Sequence, residues 1–179
     1  MSLQRNFGSL AVLTLLFVAF GAGLAGQKKN VEGVTNFTQL DSTIACGGAT
    51  MASAVPELKT MGFASIVNLR LATEEGANVE AERAAAEAAG LKYFHIPFNV
   101  ALPEPEKAVA QFLDVMKGSE NQPFFVHCAS GGRAAAMWLI KRVMIDGWEI
   151  DKAKAEADLV AVNQKSVGWA LEYARTHAK

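Results

Sequence analysis

Phe124-Phe125-Val126-His127-Cys128-Ala129-Ser130-Gly131-Gly132-Arg133-Ala134 is the stretch from which the fold is read. Its first three residues are aromatic or β-branched, the composition of a buried strand. The residues after Cys128 are all small up to Arg133, and two of them are glycine. A chain this slim can curl so that successive backbone N–H groups converge on an anion. The helix expected over Gly132–Ile145 adds its unpaired N–H groups and the positive end of its dipole. Arg133 contributes a planar fork suited to two oxygens of an oxyanion. Cys128 then lies at the floor of a positive bowl, a setting that favours the thiolate and makes it a nucleophile. The opposing reading is a buried, inert cysteine at the end of a core strand.

Working outward, the same alternation recurs. Ser42–Ala45 reads as a short strand and Cys46-Gly47-Gly48 as a turn. Met51–Met61 reads as a helix ended by Gly62, and Phe63–Leu69 as a buried strand. Thr73-Glu74-Glu75 and Val79–Ala89 read as helix, with Gly90 as its stop. Lys92–Phe98 is a further strand, and Pro103 and Pro105 suit the first turn of a helix carrying Val109, Phe112, Leu113 and Met116 inward. Helices over Asp151–Val162 and Lys165–Ala178 follow. Strands alternating with helices predict an α/β fold, a mostly parallel sheet with helices on it, and a ligand site beyond the carboxyl ends of the strands. Met137 and Trp138 are expected in the core.

The 179 residues suit one domain, here 41–179, preceded by a polar arm at 26–40. The net charge is −1 with no basic stripe, which excludes nucleic acid as an expected partner. Arg5 precedes an uncharged stretch, 6–26, with its apolar centre at Leu10–Leu24 and small residues at Gly21, Ala22, Gly23, Ala25 and Gly26. This is the pattern of a secretory signal over residues 1–25, so a periplasmic or secreted protein is expected. The alternative is an uncleaved anchor, the one route to a membrane. In an oxidising compartment Cys46 and Cys128 are candidates for a disulfide; the surroundings of Cys128 put the nucleophile first. His127 either tunes the loop or is a satisfied core histidine. His95 and His177 have no metal-ligand spacing, and neither a metal nor another cofactor is expected.

At His127-Cys128-x-x-Gly131-x-Arg133 the chain resembles the protein tyrosine phosphatase-like superfamily. Within it, the chain resembles the bacterial group related to the phosphatase-like domain of beta-lactamase hydrolase-like proteins, some described as sulfur transferases. Ser65-Ile66-Val67-Asn68-Leu69-Arg70 resembles that group's strand and Asn-Leu-Arg signature, and Tyr93-Phe94-His95-Ile96-Pro97-Phe98 the strand leading to its acid loop. The resemblance implies a small central sheet flanked by helices, with Cys128 and Arg133 catalytic. It implies that a small anionic or phosphorylated substrate is held by Ala129, Ser130, Gly131 and Gly132, with His127, Asn99 and Arg70 beside them. Arg70 either lines the site or braces a loop.

Departures from the pattern bear on the reaction. Tyrosine phosphatases place five residues between Cys and Arg; here there are four, 129–132, the spacing of many rhodanese-like sulfurtransferases. Ala134 stands where a Ser or Thr is usual, and Asn99 where the general acid Asp is usual. An amide cannot protonate a leaving oxygen. Glu104 or Glu106 is a substitute acid or simply an N-terminal helix residue favoured by the dipole. Three functions are therefore carried forward: a Cys-dependent phosphatase, a sulfurtransferase using a Cys128 persulfide, and an anion-binding module without catalysis.

Overall fold

Strand Phe124–His127 lies at the centre of the sheet, so its final residues open onto the middle of the sheet's carboxyl edge. The computed structural model describes residues 26–162 and 164–178; the secretory segment expected at 1–25 lies outside them. Six strands, β1 (Gln27–Lys28), β2 (Thr38–Gln39), β3 (Ile44–Gly47), β4 (Ser65–Asn68), β5 (Lys92–His95) and β6 (Phe124–His127), form one sheet in the order β1-β2-β3-β6-β4-β5. The pairings β3–β6, β6–β4 and β4–β5 are parallel, as the alternation predicts, and β1–β2 and β2–β3 are antiparallel.

Helices α1 (Val55–Thr60) and α2 (Val79–Ala88) cover one face of the sheet. Helices α3 (Pro105–Lys117), α4 (Gly132–Met144), α5 (Ile150–Val160) and α6 (Lys165–His177) lie on the other. Strand side chains alternate between the faces. Ala45, Ile66 and Phe125 pack with Phe37, Leu58 and Phe63 under α1 and α2, whereas Ile44, Cys46, Val67, Val126 and Cys128 pack toward α4. Full burial of a side chain such as Phe125 stabilises the fold by about 1.5–3 kcal/mol relative to exposure. Helix α4 is buried almost all round, including Ala134, Ala135, Ala136, Met137 and Trp138, because α5 and α6 cover its outer side.

Three expectations are corrected. Residues 26–40, expected as a polar arm ahead of the domain, are part of its sheet: β1 and β2 extend it through β3, and Phe37 is buried against Phe63 and Phe125. Strand β3 runs from Ile44 to Gly47 rather than from Ser42 to Ala45, so Cys46 and Gly47 are strand and not turn; Asp41 Oδ1 accepts the Thr43 N–H at 2.6 Å and the Thr43 hydroxyl at 2.7 Å, closing a turn before it. Thr73-Glu74-Glu75 is not helical: Arg70 Nη1 donates to the Gly76 carbonyl at 2.8 Å and Nη2 to that of Glu75, holding the segment as a turn until α2 begins at Val79. Among the described residues no helix is long and apolar enough to cross a membrane.

Candidate active site

Cys128 is the first residue past the end of β6, and its N–H donates to the Gly47 carbonyl at 3.3 Å. Its side chain is 1 % exposed. The Gly131 N–H donates to its Sγ at 3.2 Å, closing the loop over the sulfur. Gly131 has φ +101°, a left-handed conformation that favours glycine. Among the described residues, no acceptor takes the N–H of Ala129, Ser130, Gly132, Arg133 or Ala134. No acidic residue stands in the first turn of α4. The loop therefore offers a set of free amides at a helix N-terminus beside a sulfur.

Arg133 is held, not loose. Its Nη2 donates to Glu74 Oε2 at 2.8 Å and its Nη1 to Glu74 Oε1, with the Leu69 and Phe98 carbonyls 3.2 and 3.1 Å from Nη1. Its Nε–H and one Nη2–H have no acceptor among the described residues. A bidentate carboxylate thus orients the fork while leaving donors for a ligand oxygen. Burial works against the Arg133 charge, but the Glu74 hydrogen bonds and then the nearby Cys128 sulfur outweigh it and strengthen its hold on the proton. The Arg133 hydrogen bonds hold the Glu74 carboxyl down at about 2, against the opposing effect of burial. Glu74 was not singled out from the sequence. The signal was faint: a Glu in a polar segment, four residues after an arginine.

Arg70 takes the bracing role. It is 5 % exposed, and Nε lies 3.3 Å from Glu74 Oε2 while both Nη atoms serve the carbonyls of Glu75 and Gly76. It supports the carboxylate that supports Arg133.

His127 does not line the cleft over the loop. As the neighbour of Cys128 on an extended strand it points to the opposite face, where it is fully buried and stacked on Phe125 at 5.6 Å. Its Nε2 lies 2.8 Å from Glu82 Oε1, off the line of a hydrogen bond. Glu82 Oε2 also accepts from Asn68 Nδ2 at 2.7 Å and from the Tyr93 hydroxyl at 3.0 Å. Burial, reinforced by Glu82, pushes the Tyr93 hydroxyl's pKa upward.

A cleft of about 330 Å³ lies over the loop, lined by Ser130, Gly132 and Arg133, by Leu71 and Glu74, by Asn99 and Val100, and by Gln164, Lys165 and Ser166 at the start of α6. Asn99 is thus on the cleft wall, where its Oδ1 accepts the Ala101 N–H at 2.9 Å and shapes the turn. Ala129 is exposed at the rim, and its carbonyl accepts the Ala49 N–H at 2.8 Å. Neither Glu104 nor Glu106 lines the cleft, and Glu104 pairs with Lys107 at 2.6 Å. A larger hollow of about 480 Å³ among residues 30–35 and 49–51 has Glu32 as its one ionisable side chain. Cys46 and Cys128 are both free thiols, and burial first, then the charge of Cys128, pushes the Cys46 pKa upward. Among the described residues no cluster of His, Cys, Asp or Glu is placed to hold a metal.

A central parallel strand, a Cys just past its end and an Arg in the first turn of the next helix belong to a protein tyrosine phosphatase-like fold. The family model described as "DSP-PTPase phosphatase fused to NAD+ Kinase" matches residues 25–170, and the chain belongs to that family. The chain is similar to the beta-lactamase hydrolase-like protein of Agrobacterium fabrum (strain C58 / ATCC 33970), at 30% identity over 105 residues. The match covers 57% of this chain and 24% of that relative, so it spans about a quarter of the relative's length. Among solved structures, a DUF442 protein of Shewanella putrefaciens CN-32 shares the fold with a TM-score of 0.67 at 19% identity, covering 84% of this chain and 99% of that one. The core catalytic domain of the PP-IP phosphatase SIW14 from S. cerevisiae does so with a TM-score of 0.64 at 14% identity, covering 84% and 89%. Fold and family are those of phosphatases.

Proposed function

We propose that the protein is a phosphoric monoester hydrolase in which Cys128 is the nucleophile. The observation that carries this reading is the Gly131 N–H on the Cys128 sulfur, inside a loop whose other amides are free. Loop amides and the free Nε–H and Nη2–H of Arg133 hold the phosphoryl oxygens. The thiolate attacks phosphorus, an S–P bond forms, and the P–O bond to the leaving group breaks with its electron pair on that oxygen. Water then attacks the phosphocysteine, the P–S bond breaks, inorganic phosphate leaves and the thiolate is restored.

The cleft supplies no ready acid for the leaving oxygen. Its one carboxyl, Glu74, is held ionised by Arg133, and Asn99 cannot donate a proton usefully. Substrates whose leaving group departs as an anion, such as aryl phosphates, are therefore favoured over alkyl phosphates. A second reading rests on the four-residue spacing from Cys128 to Arg133. The thiolate attacks the outer sulfur of thiosulfate, sulfite leaves, and the persulfide is passed to a nucleophile such as cyanide.

Reduced protein assayed in parallel with an aryl phosphate and with thiosulfate plus cyanide separates the two. Phosphate release that disappears in Cys128→Ser is the expected result; thiocyanate formation instead would replace it with the sulfur reading. Silence in both would sink both readings and leave an anion-binding role for the loop. The secretory pattern in the sequence of residues 1–25 supports an activity outside the cytoplasm, which fractionation of the expressing cells tests.

A further inference from the structure

Asn36 lies in the turn before β2, 94 residues from Ser130 in sequence, yet its side chain touches the Cys128 loop. Its Nδ2 donates to the Ser130 carbonyl at 3.1 Å and to the Val160 carbonyl, at the end of α5, at 2.9 Å. Its Oδ1 accepts from Lys28 Nζ at 2.7 Å. Two carbonyls on one side and an ammonium on the other leave the amide a single sensible orientation, NH₂ toward the loop. Its backbone is left-handed, φ 52°, a conformation that Asn tolerates better than most residues.

A peptide unit is planar and trans, so its C=O and the following N–H point in opposite directions. Drawing the Ser130 carbonyl out toward Asn36 therefore turns the Gly131 N–H the other way, and that N–H is the one on the Cys128 sulfur at 3.2 Å. The preceding unit is treated alike: the Ala129 carbonyl is drawn out by the Ala49 N–H at 2.8 Å, which turns the Ser130 N–H inward. The fit is close, since a Cβ at position 131 would stand 2.9 Å from Asn36 Nδ2.

We propose that Asn36, oriented by Lys28, is a positioning residue that aims the Gly131 amide at the Cys128 sulfur by holding the Ser130 carbonyl. The proposal rests on the reading of Cys128 as nucleophile. Asn36→Gly keeps the left-handed backbone available and removes the clamp, and Lys28→Ala, an exposed change, removes only what orients it. The readout is the pH profile of Cys128 alkylation by iodoacetamide, with and without inorganic phosphate as protectant, beside thermal melting.

Asn36→Gly should move the profile to higher pH by about one unit, the effect of losing one well-aimed hydrogen bond to an anion, and weaken phosphate protection about tenfold. Lys28→Ala should move both in the same direction by less, and it decides the matter if Asn36→Gly does not fold. A reactive Cys128 whose profile is unmoved in the folded variants, with only the melting temperature lowered, overturns this proposal alone. A wild-type Cys128 inert at every pH overturns the nucleophile reading and this proposal with it.

Discussion

Cys46, in β3, and Cys128, just past the end of the neighbouring parallel strand β6, face the same side of the sheet; both are buried, and a glycine follows each within three residues. Their surroundings nevertheless differ in kind. Cys46 lies inside β3, opposite Val126, where burial opposes ionisation of its thiol. Cys128 lies one residue past the end of β6, its own N–H still on the Gly47 carbonyl, but the N–H groups of the residues that follow take no backbone acceptor among the described residues and one of them, that of Gly131, meets the sulfur. After Cys46, by contrast, the Gly48 and Ala49 N–H groups are taken by the Thr35 and Ala129 carbonyls at 2.6 and 2.8 Å. Burial does not separate these two cysteines. The fate of the next few amides does.

The largest expected effect tests that contrast directly. Cys128→Ser should lower turnover to background, whereas Cys46→Ala should leave kcat/KM within about twofold and destabilise the fold by roughly 1–2 kcal/mol, the scale of a small cavity. Equal losses of activity in the two would break the comparison. Next is the support beneath Arg133: Glu74→Gln should lower kcat/KM roughly tenfold, since the Leu69 and Phe98 carbonyls still hold one edge of the fork. Unchanged kinetics would mean that Arg133 needs no carboxylate to be aimed.

The same pair makes stability depend on pH. Glu74 titrates near 4.5 when free and at about 2 in the fold, so its contribution is in place above about pH 4.5 and is lost as pH falls toward 2. Chemical denaturation of wild type and Glu74→Gln across that window should converge at its acid end. The smallest effect is expected at the cleft wall. Asn99→Asp should raise kcat about threefold on an alkyl phosphate and less on an aryl phosphate, because only the former needs a proton on its leaving oxygen. No difference between the two substrates would show that position 99 does not face the leaving group.

Much of this was legible in the chain. The runs at 65–68, 92–95 and 124–127 carry their strand character in composition, and the small residues at 129–132 followed by Arg133 announce the loop, because local sterics decide those conformations. Polar strands such as β1 and β2 have no such mark; they form because β3 offers an edge and Phe37 a place in the core. The His127 question was closed only by the sheet. Which side of the sheet His127 takes, relative to the helix with the free N-terminus, was a matter of topology.

By itself, then, the sequence determined an alternating α/β chain with a slim, cysteine-bearing loop between a strand and a helix, because strand composition, glycine freedom and helix polarity act over a few residues. Only the tertiary structure decided what steadies that loop. Glu74 on Arg133 and Asn36 on the Ser130 carbonyl join segments far apart in the chain, and Arg70 braces Glu74 from within its own turn. Hydrogen bonds between polar groups leave no periodic trace in the residues that make them; their partners are chosen by how the strands and helices pack.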